Sequence, residues 1–151
     1  MDIDLGLAMA HHLAVFSLVG IVAVEFALLR PGLGSAPLKR LAMIDRAYGL
    51  LAILVVVAGL MRVFMGATDA GYYLGNHAFW GKMVLFVLVG LFSIQPTLAI
   101  LGWAKRLKAD PGYVVPDAEV ARSRRFLHLE IIGLFLIPLF AAGMARGYGA
   151  A

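Results

Sequence analysis

Two adjacent histidines, His11 and His12, open an apolar run that carries Glu25 near its far end, HHLAVFSLVGIVAVEFALLR. Such a run is long enough to cross a bilayer as a helix. Hydrocarbon has no water to solvate ionisable groups, so within a span they face other helices, a cavity or a ligand. His11, Leu18 and Glu25 follow one another at intervals of seven residues, a spacing that drifts only about 20° per step around a helix. His12 points about 100° away from His11. The first span therefore forms one wall of a site, and His11 and Glu25 share that wall.

Sorting the remaining polar residues by depth gives two groups. His11, His12, Arg62, Lys82 and Arg146 lie toward one end of the apolar segments, while Glu25, Arg46, Gln95, His128 and Glu130 lie toward the other. The first group joins imidazole to cations. Histidine is a ligand for haem iron, and haem propionates need cationic or hydrogen-bonding anchors. A haem disc held by His11 or His12, with its propionates toward Arg62, Lys82 or Arg146, uses every residue of the group. The same cations suit the carboxylates of an unmetallated tetrapyrrole. The bland alternative is that both histidines are interfacial residues bonded to a neighbour. Met9, Met61, Met65, Met83 and Met144 lie toward the same end and supply a competing reading, since thioethers with imidazole bind Cu(I). Methionine also fills apolar gaps. Tyr72 and Trp80 suit a headgroup-level aromatic belt or the mouth of the ligand site, and His77 is expected to be solvated. In the second group, Glu25 and Glu130 are expected to be neutral or paired with Arg46 or Arg125 in a polar network, because an unpaired buried carboxylate is costly. A proton route is the alternative.

The elements that must position these residues follow from composition. The chain has 151 residues, 62% of them hydrophobic, and a mean hydropathy of +0.91, values that mark an integral membrane protein in a lipid bilayer. Four spans are predicted, at about 7–29, 43–65, 79–103 and 125–145, forming one all-α domain over residues 1–151, an antiparallel four-helix bundle. Pro96 and Pro138 are expected to disturb the third and fourth spans. The net charge of +4 is mainly topological: Arg30, Lys39, Arg40 and Arg46 flank the first connection, and Lys105, Arg106, Lys108, Arg122, Arg124 and Arg125 the third. By the positive-inside rule these connections are cytoplasmic and both termini lie outside, periplasmic for a bacterial inner-membrane protein. That asymmetry argues against nucleic-acid binding. The chain contains no cysteine, which excludes disulfides, thiolate metal sites and cysteine nucleophiles. Its acidic start is unlike a cleaved signal. No phosphate-binding loop, dinucleotide fingerprint, serine elbow or metalloprotease motif is present. A homodimer is an open option, although no span carries a decisive association motif.

The opening HHLA, the segment GLMRVF around Arg62, the stretch YYLGNHAFWGKM and the ending LIPLFAAGMARG resemble a DUF2214-like family of four-span bacterial inner-membrane proteins. More distantly, the layout is similar to HemJ-type protoporphyrinogen oxidases and to CopD-like copper-resistance membrane proteins. The HemJ pattern of an early histidine, a tryptophan shortly before a lysine and a glutamate in the fourth helix corresponds here to His11 or His12, Trp80 and Lys82, and Glu130. That resemblance implies haem b, a redox step with quinone as an acceptor, and His11, His12 and Lys82 as candidate catalytic residues. The chain departs from the pattern in lacking a histidine between Trp80 and Lys82. Copper or small-solute transport, and a structural subunit without ligand, are the alternatives.

Overall fold

A computed structural model describes residues 2–149. Five helices follow in order: α1 Ile3–Leu28, α2 Ser35–Met65, α3 Ala70–Leu74, α4 His77–Ala109 and α5 Asp117–Ala145, with no strand among the described residues. The four long helices are each long and apolar enough to cross a membrane. They form a ring in chain order: α1 packs on α2, α2 on α4, α4 on α5, and α5 closes on α1. The α1·α2 and α4·α5 seams are the extensive ones. The bundle is thus two tight hairpins laid side by side.

Every long helix reaches beyond its predicted span. Starts expected at residues 43 and 125 fall at Ser35 and Asp117, and the third span runs on from 103 to Ala109. The reason is that helical hydrogen bonding does not stop where the apolar segment stops; polar turns continue it through the headgroup depth. The short α3 was not foreseen. Asp69 caps it by accepting from the Gly71 amide at 2.8 Å. Pro96 and Pro138 sit inside α4 and α5, and each helix continues through its proline as a single element.

The buried positions repeat at three- and four-residue steps, which sets one stripe of each helix against its neighbours. In α1 they are Ala14, Leu18, Val22 and Glu25; in α2, Leu38, Leu41, Asp45, Tyr48, Val55 and Ala58. The other faces are apolar but open: Phe16, Leu50 and Phe135 are each about 70% exposed, as a surface covered by lipid would be. Small residues allow close approach along the α4·α5 seam. A Cβ on Gly133 would stand 2.5 Å from Val89 Cγ2, and one on Gly81 2.5 Å from Phe140 Cε1.

The end carrying the basic residues is fastened by polar contacts. Arg124 Nη1 donates to the Phe26 and Leu29 carbonyls at 3.1 and 2.5 Å, and its guanidinium stacks 4.1 Å from the Phe26 ring centroid. It satisfies carbonyls that the end of α1 leaves without helical partners. The Val115 amide donates to the Leu33 carbonyl at 3.1 Å, joining the two loops. Trp103 Nε1 donates to Glu119 Oε2 at 2.6 Å, and Glu119 Oε1 pairs with Arg106 at 3.3 Å.

Gly133→Leu is expected to cost about 1–3 kcal/mol by overpacking the α4·α5 seam. Gly102→Leu, where a Cβ meets nothing within 4 Å, should leave stability nearly unchanged. Reversible unfolding in mixed detergent micelles measures the difference.

Candidate functional site

At the end of the bundle that carries both termini, three cationic or potentially cationic side chains converge from three helices. His11 of α1 is half-buried; its charged neighbours are Arg62 of α2, Lys82 of α4 and the adjacent His12. Arg62 is also close enough to Lys82 for the two charges to repel. The His11 ring lies beside the Val55 carbonyl and against Gly59, where a Cβ would stand 3.3 Å from Cε1 and 3.7 Å from Nδ1. Gly59 is therefore the notch in α2 that admits the imidazole. His11 Nδ1 and Arg62 Nε are buried and have no hydrogen-bond partner among the described residues. The Lys82 ammonium lies 5.1 Å from the Phe79 ring centroid, a cation–π contact that supports a charge without neutralising it. The one ion pair among the described residues, Arg106 with Glu119, belongs to the opposite end.

The two histidines are thus placed differently. His12 is exposed, and its Nδ1 donates to the Ala8 carbonyl of its own helix at 2.7 Å. The rings stand edge to face with centroids 6.2 Å apart. Arg146 is exposed at the C-terminal cap of α5.

Around this cluster the loops are held by a set of polar contacts. Asn76, fully buried, accepts from the Ala78 and Phe79 amides at 2.8 and 3.3 Å and caps α4. That cap sets the register of Phe79 and Lys82. Tyr72 donates from its hydroxyl to the Met144 carbonyl at 3.0 Å, and Trp80 Nε1 donates to the Leu74 carbonyl at 2.9 Å; both rings stay exposed. His77 is tied through its amide, which donates to the Gly149 carbonyl at 2.8 Å. Met9, Met61 and Met65 face outward, while Met83 and Met144 are half-buried. Among the described residues, no group of three or more His, Asp or Glu side chains forms a metal cage.

Toward the basic end lies a second constellation, and its membership differs from the expected one. Glu25 and Glu130 are buried, 3% and 1% exposed, and Asp45 joins them at 5%. The Glu25 and Asp45 carboxyls meet side chain to side chain. Thr97 donates from its hydroxyl to Asp45 Oδ1 at 2.7 Å. Tyr48 of α2 meets Glu130 of α5 and Ser93 of α4. Of the two expectations for Glu25 and Glu130, neutral or paired with Arg46 or Arg125, the pairing does not form among the described residues: both arginines are exposed. Arg46 turns instead to a cleft of about 380 Å³ between α2 and α4 that also carries Lys39 and Lys108. Helical spacing explains this, because Arg46 is rotated about 100° from Asp45. His128 is exposed with its ring 4.6 Å from that of Phe26, and Gln95 is half-buried with Oε1 unpartnered among the described residues.

The chain belongs to the family described as predicted membrane protein (DUF2214), whose model matches residues 3–149. Searches of curated proteins and of solved structures each give no match.

Gly59→Leu is expected to force the His11 ring out of its notch, with a loss of about 1–3 kcal/mol in stability. The imidazole NMR signals of His11 should shift while those of His12 stay in place. Unchanged His11 signals would contradict the packing of the ring against α2.

Proposed function

We propose that this membrane protein binds an anionic amphiphile through the His11, Arg62 and Lys82 cluster, with a carboxylate-bearing tetrapyrrole, haem b foremost, as the ligand class. The supporting observation is the convergence of these three side chains from three helices, none of them in an ion pair among the described residues. In a low-dielectric setting, uncompensated cations favour an anion, and each charge-assisted hydrogen bond to it is worth about 1.5–3 kcal/mol.

The residues fit haem b in two respects. Arg62 and Lys82 supply donors for propionates, and His11 supplies an imidazole to the same cluster; its Nδ1 is buried against Gly59, which leaves Nε2 as the nitrogen for a ligand. His12 is the less suitable ligand because it is exposed, on a face of α1 turned about 100° from His11 and so away from the cluster. Bound haem b supplies one-electron chemistry, and a redox role on the bacterial inner membrane, with quinone as an acceptor, belongs to this reading. Within it, His11 binds and orients the ligand, Arg62 and Lys82 hold its carboxylates, and the exposed rings of Tyr72 and Trp80 cover the approach from the lipid side. Periplasmic termini place the site on the outer side of the membrane, a reading supported by the basic residues at the opposite end of the bundle.

Titration of the detergent-purified protein with haemin, and separately with metal-free mesoporphyrin, tests this reading. Haemin should give a shifted Soret band that His11→Ala abolishes and His12→Ala preserves. Arg62→Ala and Lys82→Ala should each weaken both ligands by about tenfold or more. Haemin binding unaffected by all four substitutions overturns the assignment. Stoichiometric Cu(I) uptake lost on Met61→Leu or Met65→Leu, without porphyrin binding, transfers the site to copper.

A further inference from the structure

Behind the α2·α4 seam lies a cavity of about 370 Å³ whose walls are mostly apolar and whose polar residues are Asp45, Tyr48, Ser93 and Thr97. It opens through the side of the bundle: Gly49 and Gly90 at its rim are exposed, as are Ile94 at 50% and Leu98 at 63%. A side opening in a membrane-spanning bundle faces hydrocarbon, so what enters comes from the lipid phase.

The cavity floor continues into the carboxyl group cluster. Asp45 contacts Glu25 of α1 and accepts from Thr97 of α4; Tyr48 bridges to Glu130 of α5 and to Ser93 of α4. Glu25 Oε1 and Glu130 Oε1, on side chains more than nine-tenths buried, have no hydrogen-bond partner among the described residues. The charge of Arg46 reaches Asp45, but its side chain is exposed and makes no ion pair with that acid among the described residues. Three acids from three helices, facing hydroxyls from two, therefore share one space without a fixed positive charge.

We propose that this groove is a binding site for a lipophilic organic monocation that enters from the bilayer and exchanges for a carboxyl proton. Charge complementarity carries the assignment. The acids supply negative charge to an ammonium-type centre, Phe86 and Tyr48 offer aromatic faces to it, and the apolar walls cover its hydrocarbon body. The volume lies in the range of small-molecule sites, about 300–1,000 Å³. As the cation binds, one carboxyl proton passes to bulk water, so the charge of the site is the same before and after. A metal ion is a poorer occupant, because the acids do not close into a metal cage. This inference does not rest on the tetrapyrrole reading, which concerns the other end of the bundle.

Tetraphenylphosphonium is the probe. Equilibrium dialysis against protein in non-ionic detergent should show saturable uptake of one cation per chain, and calorimetry in buffers of different ionisation enthalpy should show release of about one proton. Asp45→Asn and Gly90→Phe are each expected to weaken uptake at least about tenfold, the first by removing an acid and the second by filling the groove. A Cβ at Gly90 meets nothing within 4 Å, so the second variant keeps its fold, which thermal unfolding checks. No saturable uptake, or uptake in both variants equal to that of the unsubstituted protein, overturns the proposal. So does quantitative disulfide dimerisation of Ile94→Cys in this cysteine-free chain without cation uptake, an outcome that assigns the groove to a second copy.

Discussion

Hydrocarbon neither donates nor accepts a hydrogen bond, and the arrangement of this bundle follows from that constraint. Backbone groups are satisfied inside the helices, and the loops are displaced to the two ends, where side chains finish the helix termini. Arg124 occupies the carbonyls at the end of α1, and Asn76 occupies the amides at the start of α4. Side chains obey the same constraint. The buried polar residues within the spans, Glu25, Asp45 and Glu130 among them, line the seams between helices, and the outward faces carry mostly Phe, Leu, Ile and Val.

Within those seams the charges are segregated rather than paired. Basic groups gather around His11 near the termini, while Glu25, Asp45 and Glu130 gather toward the opposite end. A chain shaped for stability alone has a cheaper solution, since apolar side chains in place of such groups avoid the desolvation cost. Segregation leaves each end with an unbalanced demand. The basic cluster favours an anion, and the acidic cluster favours a proton or a cation. The two preferences arise from the same physics with opposite sign, and the depth of the bundle keeps the clusters from neutralising each other.

Much of this was legible in the sequence wherever facing was used. The seven-residue spacing of His11, Leu18 and Glu25 sets them on one stripe, and all three turn toward the bundle interior, with Leu18 and Glu25 buried and His11 half-buried. Where depth alone was used, the reading was less accurate. Arg46 and His128 lie at the right height for the acidic cluster and on the wrong faces, whereas Asp45, which sorting by depth leaves out, belongs to it. In the second span Leu41, Tyr48, Val55 and Arg62 follow one another at intervals of seven, and Asp45, four residues after Leu41 and three before Tyr48, falls on the same stripe. Gly59 is different in kind: its role depends on how closely a second helix approaches, which no periodicity within one helix encodes. The helix ends were also hidden, because hydropathy marks the apolar part of a helix and not its hydrogen-bonded length.

The inequality of the four seams connects fold to function. Gly81 and Gly133 draw α4 and α5 together so that each glycine faces a side chain of the other helix. Gly49 and Gly90 do the reverse on α2 and α4, where no atom stands within 4 Å of the position a Cβ would take. Missing side chains thus produce intimate packing where the backbones are close and a groove where they are not. The groove falls between the two hairpins, at a seam less extensive than those within each hairpin, and Asp45 and Tyr48 form its polar floor. Access from the lipid and a cluster of buried acids consequently meet at a single place in the ring.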